Sequence, residues 1–360
     1  MSNSKTNRTT CPDCDSLTRR DFLKTTVGTV AAASATAAGI ITVTPRFTYA
    51  AESSASLAVA SQPETLVAAL YKTLTEEQKK IVAFPFDHPL RREVNNNWFI
   101  TKKGIKELLN PDQQAMVRDI FNGMHSPEYA EKVMKQVEHD NSEDAGFGAC
   151  AIAMFGEPAT RDKNSKFEFV LTGRHVTRRC DGNSVAGAAF GGPIFYGHAF
   201  ESFNEKPTHP GNIYWYQALR ANEVFKALDG KQQKLALRGD PRKEEATKTV
   251  RLAGKKELIK GLPVAELSRD QKELVRKVMG DVLAPFRKVD VDEALALIEK
   301  TGGIDQLSMS FFNNAGMDIG NDGVWDVWQI EGPTMLWYFR GAPHVHTWVH
   351  IRDSADEPSA

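Results

Sequence analysis

The amino-acid sequence predicts an α+β fold, in which helices pack around an antiparallel β-sheet that ends in a C-terminal β-meander. Three observations support this prediction. Helix-capping patterns recur along the chain, apolar strand-like segments are separated by short turns, and no G-x-G-x-x-G or phosphate-binding loop introduces a helix. A chain of 360 residues is long enough to bury one large core. We expect a single α+β domain over residues 63–354 and a tail over residues 355–360.

The first 50 residues resemble a twin-arginine export signal. Arg19 and Arg20 precede a Phe-Leu-Lys sequence and a weakly apolar run of Ala, Thr and Gly. Ala50 offers a small residue for cleavage. We therefore expect residues 1–50 to be a signal peptide and the Ala/Ser-rich residues 51–62 to be a flexible leader.

This N-terminal pattern predicts a periplasmic or otherwise exported protein, with the twin-arginine export machinery as its partner. The alternative is a retained membrane anchor. Ala, Thr and Gly form a poor lipid-spanning helix, so we favour cleavage and expect no stable membrane span afterwards.

The charge of the chain is nearly balanced, with a formal net value of −1. The first 50 residues carry six basic and three acidic side chains, which leaves a net charge of −4 on the remainder. A mildly acidic body without a basic block predicts no binding to nucleic acid.

Helices are predicted where a capping residue is followed three positions later by Gln. Thr75, Asn110 and Ser268 satisfy this pattern, and Pro111 suits the first position of a helix. Other helical patterns cover residues 215–237 and 270–283, whereas the charged residues 238–249 predict a solvated surface connection.

Strands are predicted in a central hairpin and in the C-terminal part of the chain. Residues 149–155 and 167–175 flank a turn-like segment, and the second of them alternates as a half-buried strand does. Residues 327–330, 335–340 and 344–351 are separated by short breaks, which favour antiparallel neighbours and hence a meander.

The last of these strands carries three of the chain's nine histidines within seven residues. Side chains on a strand alternate, so His344, His346 and His350 would share one face. An H-x-H pair on one face brings two imidazoles close enough to bind one metal ion. The alternative is an amphipathic strand whose histidines lie in solvent.

The cluster needs ligands from elsewhere in the chain. His175 follows the second hairpin strand and is the leading candidate, and His198 or His350 would supply a fourth ligand. For His175 or His198 alone, an ordinary structural histidine is the more frequent case. Neutral imidazoles suit Cu, Zn or Fe, so a transition-metal ion is the predicted cofactor.

Two arginines are candidates for binding a small anionic ligand. Arg91 lies in a proline-containing loop after Asp87, and Arg352 follows the histidine strand. In this interpretation Asp87 orients Arg91. The alternative is a structural Asp–Arg ion pair that ties the loop to the β domain, and Arg352 with Asp353 has the same two interpretations.

Cys150 and Cys180 are the cysteines that remain after signal cleavage. They predict either one disulfide in an oxidising compartment or two buried thiols.

Taken together, these stretches resemble the bacterial domain-of-unknown-function family numbered 3500 over nearly all of the mature chain. The resemblance is carried by the loop from Phe86 to Arg91 and by the sequences Gly-Arg-His-Val at 173–176, Pro-Ile-Phe-Tyr-Gly at 193–197 and His-Val-His-Thr at 344–347. This chain has Arg174 where the family typically has the first residue of a His-His pair. The resemblance implies that His175, His344 and His346 act as a unit, and it brings no known activity.

The sequence therefore supports three hypotheses. The first is an exported oxidoreductase or hydrolase with a mononuclear metal site. The second is a metal- or ligand-binding module without turnover, and the third is a structural exported protein whose histidines are incidental. No catalytic residue, substrate or oligomeric state follows from the sequence.

Overall fold

The computed structural model describes residues 63–142, 144–158, 166–198, 211–313, 323–341 and 344–355. The predicted signal peptide and leader, together with residues 356–360 of the predicted tail, lie outside the described residues.

Eleven strands of the described residues form one mostly antiparallel sheet, in the order β1-β2-β3-β4-β5-β11-β10-β9-β8-β6, with β7 paired to β8. The pairs β1–β2 and β6–β8 are parallel. The strands are β1 Ala83–Phe84, β2 Ala151–Gly156, β3 Phe167–Gly173, β4 Val176–Cys180, β5 Ile194–His198, β6 Leu237–Arg238, β7 Leu262–Pro263, β8 Ser308–Phe312, β9 Val327–Glu331, β10 Met335–Arg340 and β11 Val345–Ile351.

Nine α-helices lie within the described residues and surround this sheet. They are α1 Pro63–Thr73, α2 Glu76–Val82, α3 Ile105–Leu108, α4 Pro111–Gly123, α5 Ala130–Asp140, α6 Trp215–Lys226, α7 Gly230–Ala236, α8 Arg269–Leu283 and α9 Lys288–Lys300. Short 3₁₀ turns occur at Pro89–Arg92, Gly146–Ala149, Ala189–Gly191, Ala246–Val250, Lys256–Leu258, Val264–Glu266 and Ile304–Gln306. None of the helices in the described ranges is long and apolar enough to span a bilayer.

The predicted α+β class, the central hairpin and the C-terminal meander are confirmed. Strands β2 and β3 pair antiparallel, as do β9, β10 and β11 in succession. The three predicted capping boxes also form, at Thr75, Asn110 and Ser268. In each, the cap side chain accepts the backbone N–H of the Gln three residues on, which satisfies an N–H that the helix leaves unpaired.

The helix predicted over residues 215–237 is wrong in its length. Asp229 ends it by capping a new helix, since its carboxylate accepts the backbone N–H groups of Lys231 and Gln232. The result is two helices, α6 and α7, in place of one.

The sheet is buried on both faces, so the predicted half-exposed character of β3 is wrong. The larger core contains Leu171, Tyr196 and Val349 on one face. On the other face, Val94 and Val250 from two long connections pack against strand residues. An antiparallel sheet usually leaves one face in solvent, but here these connections cover it.

Both cysteines are free and buried, so the disulfide alternative is excluded. Burial raises the pKa of the Cys150 thiol to about 12 and that of Cys180 well above its ordinary value, which keeps both thiols protonated and unreactive.

We expect Gly197→Ala to destabilise the protein. Gly197 pairs with His346 across β5 and β11, and a Cβ atom there would lie 2.1 Å from the carbonyl oxygen of Val345. The strands would have to separate, at a cost of roughly 2 kcal/mol or more in unfolding free energy. Urea denaturation would measure the change.

The matched control is Gly280→Ala in α8, where a Cβ atom has no neighbour within 4 Å. This change should stabilise the helix by about 0.5–1 kcal/mol. Equal effects of the two substitutions would contradict the close approach of β5 to β11.

Candidate metal centre

Three buried histidines bring their Nε2 atoms together at one end of the sheet. The Nε2 atom of His344 lies 3.1 Å from that of His175 and 3.0 Å from that of His346. All three side chains are at most 1 % exposed, and their candidate ligand atoms lie within 4.8 Å of one another. The alternative of solvent-exposed histidines on an amphipathic strand is therefore excluded. We call this group the histidine triad.

His175 is held in a two-residue turn between β3 and β4. Its φ of 56° places it in the left-handed region, which side chains other than glycine rarely adopt. Its backbone N–H donates to the carbonyl of Asn96, and the side-chain oxygen of Asn141 accepts the backbone N–H of Arg174. Strained backbone that is fixed from both sides is frequent at functional sites, because the surroundings must hold the conformation.

His344 and His346 are positioned by the start of β11. His346 faces Gly197 of β5, which has no side chain to occupy the space beside the imidazole. His344 directly precedes the strand, and its ring packs edge-on against those of His346 and His175, with centroids 4.8 and 4.9 Å away.

A carboxylate lies behind each of the two outer histidines. Nδ1 of His175 is 2.9 Å from Oδ2 of Asp140, which also accepts a hydrogen bond from Gln136. Nδ1 of His346 is 2.6 Å from Oε2 of Glu244, and Arg340 pairs with the same carboxylate at 3.2 Å. Carboxylate–histidine pairs of this kind orient the ring and fix its tautomer in metal sites.

The partners at Nδ1 differ between the two outer histidines. We assign the hydrogen to Nδ1 in His175, because this atom faces the carboxylate of Asp140. Nε2 of His175 then presents a lone pair toward Nε2 of His344. Nδ1 of His346 faces both the carboxylate of Glu244 at 2.6 Å and the guanidinium of Arg340 at 2.7 Å. A cation between the three Nε2 atoms would be bound by a lone pair of each neutral ring.

Two of the three separations between the Nε2 atoms fit a metal ion with nitrogen ligands. Metal–nitrogen bonds of about 2.0–2.1 Å at tetrahedral angles place neighbouring nitrogens about 3.3 Å apart. The two measured separations, 3.0 and 3.1 Å, lie close to this value.

A protein family matches most of the chain, including the histidine triad. The family described as "Protein of unknown function (DUF3500)" matches residues 58–356, a range that contains all three histidines. The chain belongs to this family. The match confirms the resemblance found in the sequence. No curated protein and no solved structure matches the chain.

Neither predicted fourth ligand lies with the triad of this family member. His198 pairs with Val345, one residue before His346, so its side chain points to the opposite face of the sheet. Its Nε2 instead contacts Oδ1 of Asn212 at 3.1 Å. His350 shares the face of His346, as predicted, but four residues of strand separate the two by about 13 Å. Its Nδ1 contacts the carbonyl of Val250 at 3.0 Å.

Arg91 and Arg352 lie together in one pocket, which His350 also lines. Trp348, which is fully buried, occupies the strand position between this pocket and His346. The partner of Arg91 is Glu168 at 3.1 Å, so the predicted pair with Asp87 is wrong. The predicted role of the two arginines in binding an anion stays a prediction, but their place is away from the triad.

The sequence did not reveal the residues that support the triad. Glu244 lies in the charged stretch that predicted a solvated connection, yet its side chain is only 12 % exposed. Asp140 ends α5 and is buried. Neither residue lies within 30 positions of its histidine in the sequence, and no local pattern marks either one.

A further buried histidine, His125, is kept neutral. Nδ1 lies 2.7 Å from the carbonyl of Phe121, and Nε2 accepts a hydrogen bond from Nε of Arg178. Burial, with a smaller contribution from the Arg178 charge, lowers the pKa of His125 to about 3. The unfolded chain thus takes up a proton on this residue near pH 6.5, whereas the folded protein does not.

We expect His125→Gln to remove part of the acid sensitivity of the fold. The neutral histidine's contribution is fully present above about pH 6.5 and is lost as the pH falls toward 3, by about 1.4 kcal/mol per pH unit. Gln does not titrate but can accept the Arg178 hydrogen bond. Unfolding free energies at pH 7.5, 6 and 5, with a chelator present, would give the difference between wild type and variant.

The matched control is His139→Gln, because His139 is exposed on α5. Its difference from wild type should depend on pH much less than that of His125→Gln. A pH-independent difference for His125→Gln would contradict a neutral buried imidazole.

Proposed function

We propose that this protein is an exported metalloprotein that binds one transition-metal ion through Nε2 of His175, His344 and His346. The observation that carries this proposal is the convergence of the three Nε2 atoms, two of which have their Nδ1 atoms held by carboxylates. Three imidazole nitrogens that converge in the protein interior without a bound ion would leave buried polar atoms unpaired, which is unfavourable.

The donor set indicates the type of metal. Three neutral imidazoles suit Zn, Cu or Fe, whereas Mg and Ca prefer oxygen ligands. The group of ligand atoms found among the described residues contains no thiolate, so it differs from a cysteine-rich structural zinc site.

A metal-dependent enzyme, either a hydrolase or an oxidoreductase, is the function that the ligand number favours. The described part of the chain supplies three ligands, and three protein ligands with one position left for water or substrate are typical of catalytic zinc. A metal ion in such a site would supply an activated water or a binding position for dioxygen. Asp140 and Glu244 would keep the imidazoles oriented, and Asp140 would hold a proton at Nδ1 of His175.

A binding module without turnover is the second candidate. The observation that favours it is the burial of all three imidazoles, since a catalytic metal needs a path for its substrate. The export route itself rests on the twin-arginine pattern of residues 1–50 and is part of the proposal.

We expect the untagged mature protein to bind one equivalent of Zn, Cu or Fe. His344→Ala should lower the affinity roughly 100-fold or more, because it removes the ligand that lies between the other two. Elemental analysis and competition with a chromogenic chelator would measure stoichiometry and affinity. His139→Ala, on the exposed face of α5, should bind as the wild type does.

Less than about a tenth of an equivalent of any transition metal after reconstitution would overturn the metal site. Cobalt-loaded protein separates the two candidate functions. A visible spectrum that azide changes indicates an open coordination position and supports an enzyme, whereas an unchanged spectrum supports the binding module.

We expect Asp140→Asn to weaken metal binding about 10–100-fold without removing a ligand. The amide cannot accept the Nδ1 hydrogen of His175 as the carboxylate does, and it can rotate to present its own N–H groups. The control is Glu138→Gln on the same helix, whose partner is the exposed Arg118. Equal metal affinities of the two variants would show that Asp140 does not position His175.

A further inference from the structure

The histidine triad is buried, so a metal ion can enter the folded protein only if part of the surrounding chain moves. All three imidazoles are at most 1 % exposed. His175 is backed by Asp140, which ends α5, and this helix packs into the larger core. His346 is backed by Glu244, which lies in a connection between β6 and β7 rather than in a helix or strand. The side of Glu244 therefore opens at the lower cost.

Residues 239–248 form a segment that we call the strap. All ten residues are described, none of them is buried, and none carries a large apolar side chain. The strap begins at Gly239, where a Cβ atom would have no neighbour within 4 Å, and it is followed by the buried Val250, which packs on the second face of the sheet. A segment with little buried apolar surface beside a well-packed anchor opens locally more easily than the core does. Gly239 provides a hinge residue at its start.

Polar side chains hold the strap in place. Arg242 pairs with Glu331 of β9 at 2.8 Å, and the hydroxyl of Thr247 donates to Glu93 at 2.7 Å. The same hydroxyl accepts the backbone N–H of Val94 at 3.1 Å. Contacts of this kind are exchanged for contacts with water when a segment moves, so the net contribution of each to closure is modest.

The contact between Glu244 and His346 links the strap to the metal centre. Nδ1 of His346 lies 2.6 Å from the carboxylate of Glu244 and 2.7 Å from the guanidinium of Arg340. The carboxylate accepts a hydrogen from Nδ1, whereas the guanidinium can only donate one to it. A neutral imidazole that uses Nε2 as a metal ligand carries its hydrogen on Nδ1. Metal binding therefore favours the contact with Glu244, and with it the closed strap.

We propose that the strap is the gate of the metal centre. It moves away from the sheet to admit an ion, and the contact of Glu244 with His346 holds it closed once the ion is bound. His346 lies between Glu244 and His344, so it is the first ligand that opening uncovers. The inference rests on the proposed function, because it concerns how an ion reaches the triad. Since linkage is reciprocal, a closed strap also strengthens metal binding.

Stopped-flow measurement of Zn²⁺ uptake by the metal-free mature protein, and of Zn²⁺ loss to a chromogenic chelator, tests the gate. Thr247→Val removes the hydroxyl that contacts Glu93 and Val94, neither of which is a ligand of the metal centre. Both rate constants should rise about 5–10-fold, because the closed strap loses these contacts whether or not an ion is bound. For the same reason, the dissociation constant should stay within about twofold of the wild-type value.

The matched control is Thr301→Val, which removes a hydroxyl that donates to carbonyl groups at the end of α9. It should leave both rate constants unchanged. Unchanged rates in Thr247→Val, or equal acceleration by the two substitutions, would overturn the gate. A protein that binds no ion would refute the metal centre and the gate together, whereas binding with unaltered rates in Thr247→Val refutes the gate alone.

Hydrogen exchange on the wild-type protein gives a second measurement, which decides even if Thr247→Val fails to fold. The backbone N–H of Val94 donates to Thr247, so opening of the strap releases it. It should exchange at least about 10-fold more slowly in the zinc-loaded protein than in the metal-free protein, while the amides of α8 keep their rates. The same exchange rate for Val94 in both forms would contradict a strap that metal binding closes.

Discussion

Burial of the central strands on both faces is the constraint on which the rest of this structure depends. Every residue of β11 is buried, although this strand carries two histidines, and a third directly precedes it. A polar group in such a place is tolerated only with a partner. His346 therefore needs Glu244, and His350 needs the carbonyl of Val250. The connections that cover the second face supply these partners, so the same segments that bury the sheet also build the site.

The same constraint governs the charged residues. Glu168 is completely buried on β3 and holds Arg91 and Arg179 at once. Removing one partner from a buried ion pair is costly, because an unpaired charge remains. This group ties the loop around Arg91 to the sheet, and its excess positive charge reaches the pocket that His350 lines. The two ends of β11 thus carry different groups. One end holds the imidazoles of the histidine triad, and the other lies among guanidinium groups.

Local sequence patterns gave correct predictions where the interaction that forms the structure is also local. The capping boxes at Thr75, Asn110 and Ser268 form because cap and partner lie three residues apart. The alternation of β11 correctly placed His346 and His350 on one face. It could not exclude His350 from the histidine triad, because a shared face does not imply a short distance. Likewise, the charged composition around Glu244 predicted a solvent-exposed connection. Composition alone does not show which carboxylate is buried against a histidine.

The sequence by itself determined the class of fold, the meander and the pairing of His344 with His346, because each depends on spacings of a few residues. It also pointed to His175, through a resemblance that the family match confirmed. Only the tertiary structure decided that His175 meets His344 across 169 residues, that Asp140 and Glu244 stand behind the triad, and that His198 faces away. Contacts between distant segments depend on how the sheet is covered, and no local periodicity records that packing.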